Sequence, residues 1–122
     1  MESILNSVKS HIGINEEETH FDSDIIIHIN SVFSILRQMG VGPTETFNIV
    51  DEKTVWNDFL DDDPDFSEVK TYMYLKVKMM FDPPANSNMM TAIKEQISEL
   101  EWRLTVTASN KKMEEGENDT ND

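Results

Sequence analysis

The sequence contains no cysteine, and its 122 residues include only 10 basic side chains, 4 glycines and 4 prolines. Without thiols there is no disulfide scaffold, no thiolate metal site and no cysteine nucleophile. With so few lysines and arginines the chain lacks the charge that neutralises phosphates, which argues against ordinary DNA binding. Long apolar runs are missing too: the best candidate, Ile25-Ile26-Ile27, is broken by His28 and Asn30, far short of the roughly 18 to 20 residues of a membrane span. Met1-Glu2-Ser3 has no basic region of the signal-peptide kind. The expectation is a soluble protein that stays in the compartment where it is made.

What is present is acid. Twenty-four aspartates and glutamates set a formal charge of −14, and since residues 111–122 hold two bases and five acids, the remainder still carries −11. Leucine, isoleucine, valine and phenylalanine together supply 31 residues, about a quarter of the chain, against the level of about a fifth below which charged chains stay disordered. One folded domain with one core follows, since the chain is too short for two.

Apolar spacing predicts helix after helix. Ile4, Leu5, Val8 and Ile12 make a short first helix that Gly13 ends. Asp22 and Asp24 suit the positive end of a second helix, whose stripe Ile25, Ile29, Val32, Leu36 and Met39 runs to Gly40. Phe47-Asn48-Ile49-Val50 alternates briefly as a strand would, and Asp51 is placed to cap a short helix bearing Val55, Trp56, Phe59 and Leu60. The run Asp61-Asp62-Asp63-Pro64-Asp65 breaks that helix and starts the next, from about residue 66 to 81. This one is apolar nearly all round, because Lys70, Lys76 and Lys78 point in different directions. It is therefore either central or shared with another subunit. Asp82-Pro83-Pro84 stops it. A final helix, capped by Asn86 or Ser87, carries Met90, Ile93, Ile97, Leu100 and Leu104, with Glu99 and Arg103 as an i,i+4 pair. Thr105-Val106-Thr107 favours an extended exit, and the residues beyond Ser109 read as a solvated tail.

Chemistry-bearing constellations are few. Asp61, Asp63 and Asp65 match the first ligand spacings of a calcium loop, but Phe66 and Tyr72 stand where that loop needs glycine and glutamate. A solvated, helix-breaking loop is the better reading. His11, His20 and His28 lack metal-site spacing, and no nucleophile motif or phosphate loop occurs. No catalytic residue, metal or cofactor is expected, and no enzymatic function. Asn118-Asp119-Thr120 is a glycosylation triplet without a secretion signal to give it meaning. Among the large amphipathic residues, Trp56 and Tyr72 read as core. Tyr74 and Trp102 fall off their helices' main stripes and are candidate interface anchors, with Arg103, Leu104 and Val106 beside them in sequence.

Several segments, taken in order, carry a resemblance. They are Val8-Lys9 with Gly13-Ile14, Phe21-Asp22 through Gly42, Trp56-Asn57-Asp58-Phe59-Leu60, Val69-Lys70-Thr71-Tyr72, Phe81-Asp82-Pro83-Pro84 and Glu99-Leu100-Glu101-Trp102-Arg103-Leu104. Over roughly residues 1–106 the chain resembles the head-tail connector, or adaptor, family of tailed bacteriophages, in its Gram-positive phage and prophage branch. Many members have an alanine-rich second helix, where Ile25-Ile26-Ile27 and Phe33 are bulky here.

The resemblance implies an all-α protomer: a small bundle of about four to five helices with a short extended segment and an extended C-terminal arm. Residues 1–106 would be the helical connector domain and 107–122 an acidic arm. It further implies a homo-oligomeric ring, commonly of twelve, beneath the portal protein in the virion neck. The next neck or tail-completion protein would follow it, and genomic DNA would pass through without specific binding. An acidic wall suits that passage, since it repels a polyanion instead of gripping it. The alternative is a small acidic inhibitor that imitates DNA and blocks a DNA-binding enzyme.

Overall fold

The computed structural model describes the backbone of residues 2–120 and the side chains of residues 2–114. Among the described residues the chain forms five α-helices and one 3-10 turn, with no named strand. It is all-α, as the periodicity predicts.

Helix α1 spans Ile4–His11, and Ser3 caps it by accepting from the Asn6 amide at 3.2 Å. Its leading residues lie antiparallel to the segment before α3: Ile4 N donates to Thr54 O and Trp56 N donates to Glu2 O, both at 3.0 Å. Helix α2 spans Asp22–Gln38 and buries Ile25, Ile29, Val32, Phe33 and Leu36. Gly40, at φ 83°, then reverses the chain. Its positive φ costs glycine little, whereas a Cβ would be strained there.

Helix α3 is only Trp56–Leu60. Its cap differs from expectation. Asp51 accepts from the Lys53 amide at 2.9 Å in a local turn, and Asp58 satisfies the Val55 amide at 3.1 Å from inside the first turn. The strand-like stretch 47–50 has no strand beside it. Instead the Asn30 side chain takes a neighbour's place, accepting from Ile49 N at 2.8 Å and donating to Ile49 O at 3.0 Å. A buried backbone needs partners, and here one side-chain amide supplies both.

Helix α4, Val69–Phe81, is the central one. It packs against α1, α2 and the last helix, and buries Val69, Tyr72, Met73 and Val77. Three helices of the same chain thus cover it, while Met80 near its end stays exposed.

The last helix, α5, runs Ser87–Thr120. The extended exit expected at residues 105–107 is helix instead, and α5 passes straight through the expected boundary at residue 106. Threonine and valine cost a helix only about half a kcal/mol each. Packing outweighs that cost here: Leu104 and Ala108, four apart on one face, are both buried. The Ala108 methyl lies 3.6 Å from where a side chain on Gly40 would begin, so that glycine also admits α5 to close packing. None of the described helices is long and apolar enough to cross a membrane.

An aromatic cluster fills the end of the core under α3. Phe33 lies 4.8 Å from Phe59, 4.9 Å from Phe47 and 6.1 Å from Trp56, ring centre to ring centre. The Trp56 indole donates to Ser7 Oγ at 2.8 Å, so its one polar atom is satisfied inside the core. Gly42 approaches the Phe59 ring so closely that any Cβ there would fall within it.

Candidate assembly surfaces

Several groups with metal-binding potential have partners within the chain. Lys111 answers the aspartate run, with its Nζ 2.9 Å from Asp63 and 3.2 Å from Asp65, and it lies over the Phe66 ring. The cation that this loop holds is the chain's own. The hydrogen bond from Lys111 keeps the Asp63 carboxyl below its ordinary range, and the same contact raises Lys111. Asp61 and Asp62 adopt left-handed backbone at φ 50° and 57°, a conformation aspartate tolerates better than most residues.

The histidines are dispersed. His11 stacks on Tyr74 with ring centres 3.7 Å apart, and its Nδ1 lies 2.9 Å from Ser7 O. His20 meets Phe21 edge-on, and His28 meets Phe81. Among the described residues no cluster of three or more potential ligands could hold a metal ion.

Two buried polar contacts escaped sequence reading. Lys9 is 1% exposed. Its ammonium sits 2.8 Å from Asp22 and donates to Glu16 O at 3.0 Å, tying α1 to the start of α2. Tyr72, fully buried, donates to Glu101 at 2.7 Å and joins α4 to α5. Burial first, and then the neighbouring carboxylate, pushes the phenol well above its usual range. Nothing local marks either pair, because 13 residues separate Lys9 from Asp22 and 29 separate Tyr72 from Glu101.

The five candidate interface residues divide into two groups. Tyr74 is half-buried between His11 and Trp56, and Leu104 is 1% exposed within the core. Trp102, Arg103 and Val106 come together outside. With Asp65, Ser67, Glu68 and Thr107 they line a shallow open hollow between α5 and the start of α4. Trp102 is 68% exposed, an unusual state for the largest side chain. Arg103 crosses the hollow's edge, bonding Glu99 at 2.7 Å and Glu68 at 3.2 Å. Exposed Met113 continues the line, since 102, 106 and 113 fall on one helical face.

The family model described as Phage connector protein matches residues 4–111. The chain belongs to this family. Its connectors are structural, not catalytic, and act in the virion neck between head and tail. The match extends past residue 106 to Lys111, so it takes in Trp102, Val106 and the lysine that grips the aspartate loop. No curated protein and no solved structure matches the chain.

A second exposed surface lies at the other end of the connector and was missed in the sequence. Met80 and Phe81 close α4, Met89 and Met90 open α5, and Phe21 lies edge-on to Phe81 at 5.4 Å. Met80, Met89 and Phe21 are exposed. The signal was available. In a chain of 24 acids, residues 83–94 contain none.

Proposed function

We propose that this connector forms the ring beneath the portal, joins capsid to tail and lines the channel through which the genome leaves. The observation that carries this reading is the family match over residues 4–111. Two features support it. The protomer has a complete core yet leaves Trp102, Val106, Met80 and Met89 at its surface, as a subunit that buries them on assembly would. At −14 it repels nucleic acid, so DNA passing it is not held.

In this reading the partners are further copies of the chain in a ring, commonly of twelve, with the portal protein on one side and the next neck or tail-completion protein on the other. The phage infects a Gram-positive host, and subunits gather in the host cytoplasm before reaching the particle. A basic partner surface would receive the acidic residues beyond Asn110. Membranes and specific DNA sites take no part.

Quantitative mass spectrometry of purified virions, with gold labelling of the neck, tests this. A fixed copy number matching the portal's and a label at the portal vertex are expected. Absence from particles, with tight binding to a DNA-processing enzyme instead, would favour an inhibitor that imitates DNA.

A further inference from the structure

We propose that copies of this connector join head to tail, the methionine-rich end of the α4–α5 hairpin of one copy seating on the Trp102 hollow of the next. The inference rests on the ring reading above and names the two surfaces that make the contact.

The first surface is apolar and basic. Lys76, Lys78 and Lys94 flank Met80, Phe81, Met89 and Met90 along the two helices, with Asp82 as the one acid between Val69 and Lys94. Lys78 is 3.7 Å from Asp82, while Lys76 and Lys94 form no ion pair among the described residues. On α4, Lys76 and Met80 are one turn apart, as are Met90 and Lys94 on α5, so each cation borders a methionine. Flexible thioethers adapt to a partner's contour, and the lysines add charge at the rim.

The second surface is acidic, with Trp102 and Val106 exposed among polar side chains. Trp102 and Val106 form its floor. Around them Asp63, Asp65, Glu68 and Glu99 share only Arg103 and Lys111. Four carboxylates against two cations leave a net of −2, facing a net of +2 counted over the hairpin residues 76–94 alone. An exposed aromatic anchor among charges opposite to those of its partner is a composition that suits a specific contact.

Geometry decides how the contact is used. Met89 and Trp102 are 13 residues apart on one helix. At 1.5 Å and 100° per residue, they lie about 20 Å apart along α5 and about 140° apart around it. One copy cannot cover its own hollow. Because the two surfaces are unlike, pairing them is heterologous: each copy receives one neighbour and offers itself to another. Repetition of such a contact closes into a ring or extends as a filament.

The test uses two variants altered only at exposed positions, Met80→Glu/Met89→Glu and Trp102→Glu/Val106→Glu, each checked for unchanged helicity and melting. Sedimentation velocity of the natural chain should show self-association that strengthens with concentration. Each variant alone should associate at least tenfold more weakly. Mixed one to one, they should form a dimer that grows no further, because one intact tip meets one intact hollow. Monomeric natural chain at every concentration, full association of either variant, or a mixture that stays monomeric would each overturn the proposal.

The absence of native cysteine allows a second measurement that does not depend on the glutamates. Met89→Cys and Trp102→Cys chains, mixed and oxidised, should cross-link to each other in preference to themselves. Homotypic cross-links alone would refute the pairing. A Met89→Cys/Trp102→Cys chain assembled into phage particles separates the two readings. Chain at the neck without inter-copy cross-links defeats the head-to-tail contact and leaves the connector ring standing. Chain absent from particles defeats the ring reading, while the cross-link in solution still decides the contact.

Discussion

Lys111 reaches from the seventh turn of α5 to Asp63, 2.9 Å away, across 48 residues of chain. Through that contact the helix is held beyond Leu104, where its own sequence would let it go. Asp65 at 3.2 Å and the Phe66 ring complete the grip.

The grip depends on pH in a definite direction. Asp63 is depressed below its ordinary 3.8, so its contribution is complete above that value and is lost as pH falls through the lowered one. Lys111 is raised above 10.5, so its contribution is complete below that value and is lost as pH rises through the raised one. The protection of residues 105–114, taken relative to the intrinsic exchange rate at each pH, should therefore be high at neutral pH and fall in acid before the core opens. Lys111→Met should give fast exchange there at pH 7, with Leu36 and Val77 still protected. Unchanged exchange in the variant would show that Ala108 and Leu104 hold the segment unaided.

Tyr72→Phe keeps the ring and removes the hydroxyl that bonds Glu101. A loss of about 1–2 kcal/mol in chemical denaturation is expected, because the carboxylate forfeits its donor. The raised phenol also has a pH consequence. Between its ordinary 10.0 and its folded value the unfolded chain ionises first, so stability declines as pH rises through that window. The variant should lack this part of the decline, and a curve parallel to the natural chain's would contradict it.

Removing Lys9 strips Asp22 of a partner at a site where the lysine is almost wholly enclosed. Lys9→Met should destabilise by about 1–3 kcal/mol, since the partly exposed Asp22 and the Glu16 carbonyl both lose the ammonium. Lys9→Met/Asp22→Leu should recover much of that loss, because both charges are then gone. If the double variant is the weaker of the two, the ion pair itself is net stabilising.

Trp102 and Tyr74 should separate in a pair of alanine variants. Trp102→Ala removes a side chain that touches mostly solvent, so melting should shift by less than about 0.5 kcal/mol equivalent while assembly weakens strongly. Tyr74→Ala breaks the stack on His11 and the edge contact with Trp56, and should cost about 2 kcal/mol in folding. Equal thermal losses from both would place Trp102 in the fold instead of at an interface.

What the sequence by itself determined is local. Ile4-Leu5-Val8, Ile25 through Leu36 and Val69 through Val77 are spaced so that one face of a helix is apolar, and water expels that face whatever lies opposite. Gly13 and Gly40 end their helices because each occupies the left-handed region that side chains disfavour. Core membership of Trp56 and Tyr72 followed from the same periodicity. Only the tertiary structure decided what depends on residues far apart in the chain. Residues 47–50 alternate as a strand would, but both backbone groups of Ile49 bond the side chain of Asn30, on a helix nearly twenty residues away. Residues 105–107 have weak helix propensity, yet Ala108 packed at Gly40 and Lys111 gripping Asp63 keep them helical. Leu104 and Val106 sit two residues apart, and the helical turn sends the first into the core and leaves the second beside Trp102 at the surface. Contacts between distant residues are set by how helices pack, and no window along the chain contains both partners.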